Sequence, residues 1–229
     1  MAGTDSSRRG DADTIDATGA PAVVLVEPQL GQNIGMAARA MLNCGLLDLR
    51  LVNPRDGWPS EPARAAASGA DLVIDQARVY ATAADAVADL NLVVATTARS
   101  RDMTKRVLTP RRAAEEIRRI YAESTARTGI LFGREAKGLT NDEVALADAI
   151  LNVPLNPAFS SLNLAQAVLL VGYEWRLMGL DVADEELAMP KTTRPADHQD
   201  LVHLFEHLES ELETCGFLQP PERAPTMVR

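Results

Sequence analysis

No histidine occurs before His198, and the chain holds only three: His198, His203 and His207. The first 197 residues therefore lack the usual partner of a nucleophilic serine or cysteine, which argues against Ser-His and Cys-His hydrolases. His203 and His207 are four apart and could share a helix face. No third ligand accompanies them, so a solvated face explains them better than a metal site. Cysteine is equally scarce. Cys44 and Cys215 cannot build a disulfide framework or a four-ligand zinc site, and both read as reduced thiols of a cytoplasmic protein. Aromatic residues are sparse, at only 4% of the chain. Charged residues interrupt every apolar run, and no stretch reaches the length of a transmembrane helix. The first twenty residues are small and polar, without the apolar centre of a signal peptide, and read as a disordered tail.

Two nucleotide-binding signatures are missing as well. No G-x-G-x-x-G follows the first apolar run, which weakens a dinucleotide site. GREAKGLT (133–140) has the glycine spacing of a phosphate loop, but Leu139 stands where the motif requires lysine, so an NTPase is rejected.

Acidic charge is present in excess, with a formal net charge of −9 over 229 residues. Its distribution matters more than its sum. Asp181 to Glu213 holds ten acids and two bases, so most of the excess lies there. Arg99 to Arg119 holds eight bases and three acids. On charge alone, a solvated helix face and a phosphate-binding segment explain that basic stretch equally well.

Short apolar, β-branched runs alternate with alanine-rich helical stretches. AVVLVE (22–27), LRLVN (49–53), DLVID (71–75), LVVATTA (92–98), GILFG (129–133) and AILNVPL (149–155) read as strands. Helices are expected over 33–42, 61–68, 82–90 and 110–123, after the capping box Thr140-Asn-Asp-Glu143, and from Ser161 to about Met178, with Gly179 as terminator. This order predicts an α/β fold: an open, mostly parallel sheet with helices on both faces. Residues 1–20 form the tail, 21–180 the sheet domain, 181–197 an acidic linker and 198–229 a C-terminal helical extension. Leu201, Leu204, Phe205, Leu208 and Leu212 give that extension one apolar stripe, suited to packing on the body or on a second subunit.

Three stretches carry polar residues at the carboxyl ends of predicted strands, where ligands collect in open parallel sheets. GQNIGMAAR (31–39) offers Asn33 and Arg39. LFGREAKGL (131–139) offers Glu135 between Gly133 and Gly138. NPAFSSLNLAQAV (156–168) offers Ser160, Ser161 and Asn163. Each has a plainer reading: Asn33 as a helix cap, Arg39 as a solvated side chain, Glu135 as a loop-shaping carboxylate, and Ser-Ser-Leu-Asn as a cap.

Taken together, N-x-G-x-x-x-R, F-G-R-E-x-x-G-L and N-P-x-x-S-S-L-N-x-A-x-A-V resemble the three motifs of the SpoU/TrmH branch of the SPOUT methyltransferases, and within it the TrmJ group of tRNA 2′-O-methyltransferases. The resemblance runs from about Pro21 to Gly179, and more loosely to Phe217. It implies a C-terminal trefoil knot, a homodimer joined through the knots, and S-adenosylmethionine as cofactor with no metal. By motif, the cofactor loops are Thr96, Thr97 and Ala98; Gly133; Val153, Pro154 and Leu155; and Ser160, Ser161 and Leu162. Arg39 matches the arginine that acts on the ribose 2′-hydroxyl, and Asn33, Glu135, Ser161 and Asn163 match the other polar positions. A guanidinium is a poor base, so Arg39 is expected to position the ribose-phosphate and stabilise a developing alkoxide. Arg99, Arg101, Lys105, Arg106, Arg111 and Arg112 are candidates for tracking RNA phosphates. The expected substrate is tRNA, at the ribose of cytidine or uridine 32. The alternatives are ribosomal RNA, or a non-catalytic RNA-binding role.

Overall fold

The computed structural model describes residues 15–97, 105–180 and 196–217. The chain divides into two units, residues 1–182 and 183–229. The first is built on seven strands. These are β1 (Ala22–Val26), β2 (Leu49–Val52), β3 (Arg78–Tyr80), β4 (Leu92–Thr96), β5 (Arg106–Leu108), β6 (Thr128–Phe132) and β7 (Ala149–Leu151). They form one sheet in the order β3-β2-β1-β6-β4-β7-β5, with every neighbouring pair parallel.

The central strands are unbroken apolar runs because helices cover both faces, so no side chain of β1 or β6 meets water. On one face lie α1 (Gly31–Asn43), α2 (Glu61–Ala67), α3 (Asp71–Asp75), α5 (Pro110–Ser124) and α7 (Leu164–Leu177). Ile34, Met41, Val73, Ile117, Val168 and Trp175 of these helices share one core with Leu25, Leu51 and Phe132 of the sheet. On the other face, α4 (Ala83–Val87) and α6 (Asn141–Ala145) bury Ala86 and Val144 against Val24, Val93 and Leu131. The expected layer order is therefore present.

Several local expectations need correction. DLVID (71–75) is helix α3, not a strand. Val73 and Ile74 are both buried in the same core, which a helical turn allows and a two-residue period forbids. The missing strands are β3 and β5, three residues each, at the two sheet edges. AILNVPL is strand only over Ala149–Leu151. The cap of α7 is Asn163 rather than Ser161, and Asn33 does not cap α1, whose N-cap is Leu30. Gly179 is not a left-handed terminator. It lies against the Arg118 guanidinium, where a Cβ would come within 2.3 Å of Nη2. The Thr140–Glu143 capping box is present as expected.

One topological feature positions the site. β4 and β5 are consecutive in sequence, yet β7 lies between them. The chain leaving β7 is gripped on both sides. Thr97 N–H donates to Leu151 O at 3.0 Å, Asn152 N–H donates to Leu108 O at 2.9 Å, and Asn152 Nδ2 donates to Thr97 O at 3.0 Å. From there residues 153–163 lead to α7, which packs on α1 and α5.

In the second unit, α8 (His198–Thr214) starts at Asp197, whose side chain accepts the Asp200 N–H. Gly216 follows its end with φ +76°, as a helix terminator requires. Leu201, Leu204, Phe205 and Leu208 are exposed.

Candidate active site

Three loops meet at the carboxyl edge of the sheet around a cavity of about 340 Å³. Its floor is Phe132, Leu151 and Leu164. Its walls are Thr96 at the end of β4 and Thr97 after it, the loop Gly133–Leu139 after β6, and Val153, Leu155, Ser160, Ser161 and Leu162 after β7. Of the described residues assigned to the cofactor by motif, all but Pro154 line this cavity. Ala98 lies outside the described residues. Apolar walls with a few convergent polar groups, at this volume, suit a small organic molecule.

The β6–α6 loop is held from inside. A Cβ on Gly133 would come within 2.3 Å of Gly138 C and Leu139 N, so the two loop ends touch backbone to backbone. Arg134 is the clamp. Its guanidinium pairs with Glu27 at 2.6 Å and Glu143 at 2.9 Å, and Nη1 donates to Gly138 O at 3.4 Å. The hydrogen bond from Arg134 holds the Glu27 carboxyl below the ordinary range. Burial alone would raise Glu143, but bonds from Arg134 and Thr140 outweigh it and the net shift is downward. Both carboxylates in turn push the Arg134 guanidinium up, against the effect of its burial. Sequence reasoning gave Arg134 no role, because its partners are 107 and 9 residues away and no spacing rule links them.

A second network joins the three motif stretches. Glu135 accepts hydrogen bonds from Gln29 N–H (2.9 Å), Leu30 N–H (3.3 Å) and Asn33 Nδ2 (2.9 Å). Leu30 provides no side-chain cap for α1, so the Glu135 carboxylate satisfies that helix start from another loop. Asn33 is buried, and its Oδ1 accepts Asn163 Nδ2 at 3.0 Å. Asn163 Oδ1 then accepts Ala165 N–H at 2.8 Å, while Gln166 Oε1 accepts Asn163 N–H, completing the cap of α7. Each amide orientation follows from its neighbour: the carboxylate can only accept, so Asn33 donates to it and must accept from Asn163.

Of the five residues expected at the catalytic centre, the structure joins Glu135, Asn33 and Asn163. Ser161 lines the cavity and is exposed, outside that network. Arg39 stands apart. It is exposed on α1, does not line the cavity, and makes no hydrogen bond or ion pair with the described residues.

The basic segment is less free than its charge suggests. Lys105 Nζ donates to Ala145 O at 2.8 Å and to Ala147 O. Arg106 pairs with Glu116 at 2.7 Å, Arg111 with Glu174 at 3.3 Å, and Arg112 with Glu115 at 2.6 Å. Arg99 and Arg101 lie outside the described residues. Among the described residues, no group of three or more metal-ligating side chains converges, and no helix is long and apolar enough to cross a membrane.

A parallel sheet with β7 inserted between β4 and β5, and a cavity walled by the loops at its carboxyl edge, places the chain among open-sheet α/β ligand-binding proteins. Residues 20–173 match the SpoU rRNA Methylase family, and the chain belongs to that family, with the SPOUT knot fold. It is 38% identical over 197 residues to the tRNA (cytidine/uridine-2′-O-)-methyltransferase TrmJ of Sodalis glossinidius, covering 86% of this chain and 76% of the relative. The crystal structure of TrmJ from Z. mobilis ZM4 superposes with a TM-score of 0.65 at 53% identity, covering 91% of this chain and 86% of that one. The SpoU methyltransferase AviRb from Streptomyces viridochromogenes, in complex with AdoMet, shares the fold at 21% identity and a TM-score of 0.53, over 74% of this chain and 64% of that one.

Proposed function

We propose that this chain is an S-adenosylmethionine-dependent tRNA 2′-O-methyltransferase that modifies the ribose of cytidine or uridine at nucleotide 32. The observation that carries the reading is the hydrogen-bonded run Glu135–Asn33–Asn163, which joins all three motif stretches beside one cavity. The names of the TrmJ relatives support tRNA and the pyrimidine riboses. The AviRb complex supports the cofactor.

The cavity fits that cofactor in size and chemistry. Apolar walls from Leu139, Leu151, Val153 and Leu162 suit an adenosine. Thr96, Ser160, Ser161 and the backbone of Gly133–Leu139 offer polar partners. When bound, the cofactor supplies a methyl group on a sulfonium centre, which needs no metal to activate it. The protein's work is orientation and charge. Glu135 fixes the start of α1. Asn33 and Asn163 hold the first and third motif stretches in register. Arg39 meets the ribose-phosphate and stabilises the negative charge that develops on the 2′-oxygen.

Arg39 lies outside the cavity wall of its own chain, which supports a homodimer in which it serves the partner's cavity. Exposed Leu30 and Met36 near α1, and Leu169, Leu170 and Tyr173 on α7, supply apolar surface for that contact. Arg99 and Arg101 remain candidates for RNA tracking. Lys105, Arg106, Arg111 and Arg112 would do so by exchanging their present partners for phosphate.

The rival within the fold is ribosomal RNA, which the family's own description favours. Methyl transfer from labelled cofactor to tRNA and to ribosomal RNA, measured side by side, separates the two. Transfer to ribosomal RNA alone overturns the tRNA reading.

A further inference from the structure

The loop 133–138 carries three charged residues, and the structure treats them differently. Arg134 is taken up by Glu27 and Glu143, and Glu135 by three N–H donors of the first motif stretch. Lys137 is exposed at the same cavity's rim and has no hydrogen bond or ion pair with the described residues. An inward network therefore fixes the loop while one cation is left exposed at the cavity's edge.

A second cation stands across the β1–α1 loop. Arg55 N–H donates to Pro28 O at 3.1 Å, and the next two residues, Gln29 and Leu30, donate to Glu135. Arg55 thus sits beside the strip of backbone that Glu135 grips. Among the described residues its one carboxylate partner is its neighbour Asp56 at 3.0 Å. Both side chains are more than half exposed, so the pair is weak and exchangeable.

The reaction class supplies the ligand. In a ribose, C2′ and C3′ are adjacent, so the 3′-phosphate lies a few ångströms from the 2′-oxygen. Any nucleotide that brings its 2′-oxygen to the cavity mouth brings a phosphate to the rim. We propose that Lys137 and Arg55 form a phosphate-binding edge that seats the RNA backbone next to the target ribose. This rests on the RNA methyltransferase reading. It moves the phosphate contact nearest the chemistry away from 105–112, where the bases already have partners, to the loop that walls the cofactor cavity. Backbone contacts of this kind set register without reading sequence.

The test is equilibrium binding of bulk tRNA to the full chain across 0.05 to 0.3 M salt. For single-stranded RNA, each lost phosphate contact lowers the slope of log affinity against log salt by about 0.7. Lys137→Ala and Arg55→Ala should each show that drop. Each should also weaken binding about fourfold at 0.15 M salt and about eightfold at 0.05 M. Lys137→Arg should restore the slope. Arg119→Ala, an exposed arginine paired with Glu123 on α5, should leave it unchanged. Slopes equal to wild type in both rim variants overturn the proposal. So does a loss of S-adenosylmethionine affinity in Lys137→Ala measured without RNA, which would assign that cation to the cofactor's carboxylate. Absence of methyl transfer by the wild-type chain would sink the enzymatic reading, and the salt slopes would still judge the phosphate edge.

Discussion

Replacing Glu135 by alanine probes the network that joins the three motif stretches. The carboxylate accepts from Gln29 N–H, Leu30 N–H and Asn33 Nδ2, and Asn33 is only 4% exposed. Leaving that buried amide without an acceptor costs about 1–3 kcal/mol. Removing a negative charge from a helix N-terminus adds about 0.3–1 kcal/mol. A central value of about 3 kcal/mol corresponds to a fall in Tm of roughly 6–12 °C for a chain of this size. Glu135→Gln keeps one acceptor oxygen and should lose about 1 kcal/mol. Thermal and urea unfolding of the three proteins gives the stability order. Calorimetry with S-adenosylmethionine should show weaker binding in Glu135→Ala, because residues 133–139 wall the cavity. A Glu135→Ala protein within about 1 °C of wild type would refute the reasoning, since the buried amide would then have found another partner.

Gly35→Ala should destabilise by about 1–3 kcal/mol through overpacking, because a Cβ there would come within 2.0 Å of Ala63 O on α2; chemical denaturation measures it. The Arg134 clamp should fail in acid. Glu27 and Glu143 are both lowered in the folded chain, so their contribution is present above the unfolded value of about 4.3 and is lost as pH falls through the lowered one. The Tm gap between wild type and Arg134→Met should therefore be widest above about pH 5 and shrink toward pH 3; a constant gap contradicts the clamp. Arg39→Ala should fold, bind cofactor and lose methyl transfer. Mixed with a Gly133→Val protein, whose cavity loop cannot keep its closed form because a Cβ there meets the Gly138–Leu139 backbone, it should regain part of that activity if Arg39 serves the partner's cavity; no recovery in verified mixed dimers places Arg39 in its own chain's reaction.

The central strands were legible because parallel strands buried on both faces show as continuous apolar runs, as in AVVLV and TGILF. RVY and RVL were not, because a three-residue edge strand leaves side chains exposed and presents no run. DLVID was misread because four to five apolar-rich residues fit a strand or one helical turn, and only the packing of Val73 and Ile74 decides between them. The site's members could be named by motif, but its wiring could not. Asn33 and Asn163 are 130 residues apart, and their bond depends on how α1 and α7 pack. The basic segment shows the converse. Its charge was countable, but Glu116 and Glu174 become partners of Arg106 and Arg111 only once α5 lies on β5 and α7.

Labelled methyl transfer from S-adenosylmethionine to bulk tRNA, followed by nuclease digestion and nucleoside identification, tests the central claim most directly. The account predicts label in 2′-O-methylcytidine or 2′-O-methyluridine from nucleotide 32, with little transfer by Arg39→Ala. Label on a base, or wild-type protein that binds the cofactor and tRNA yet transfers nothing, would contradict it.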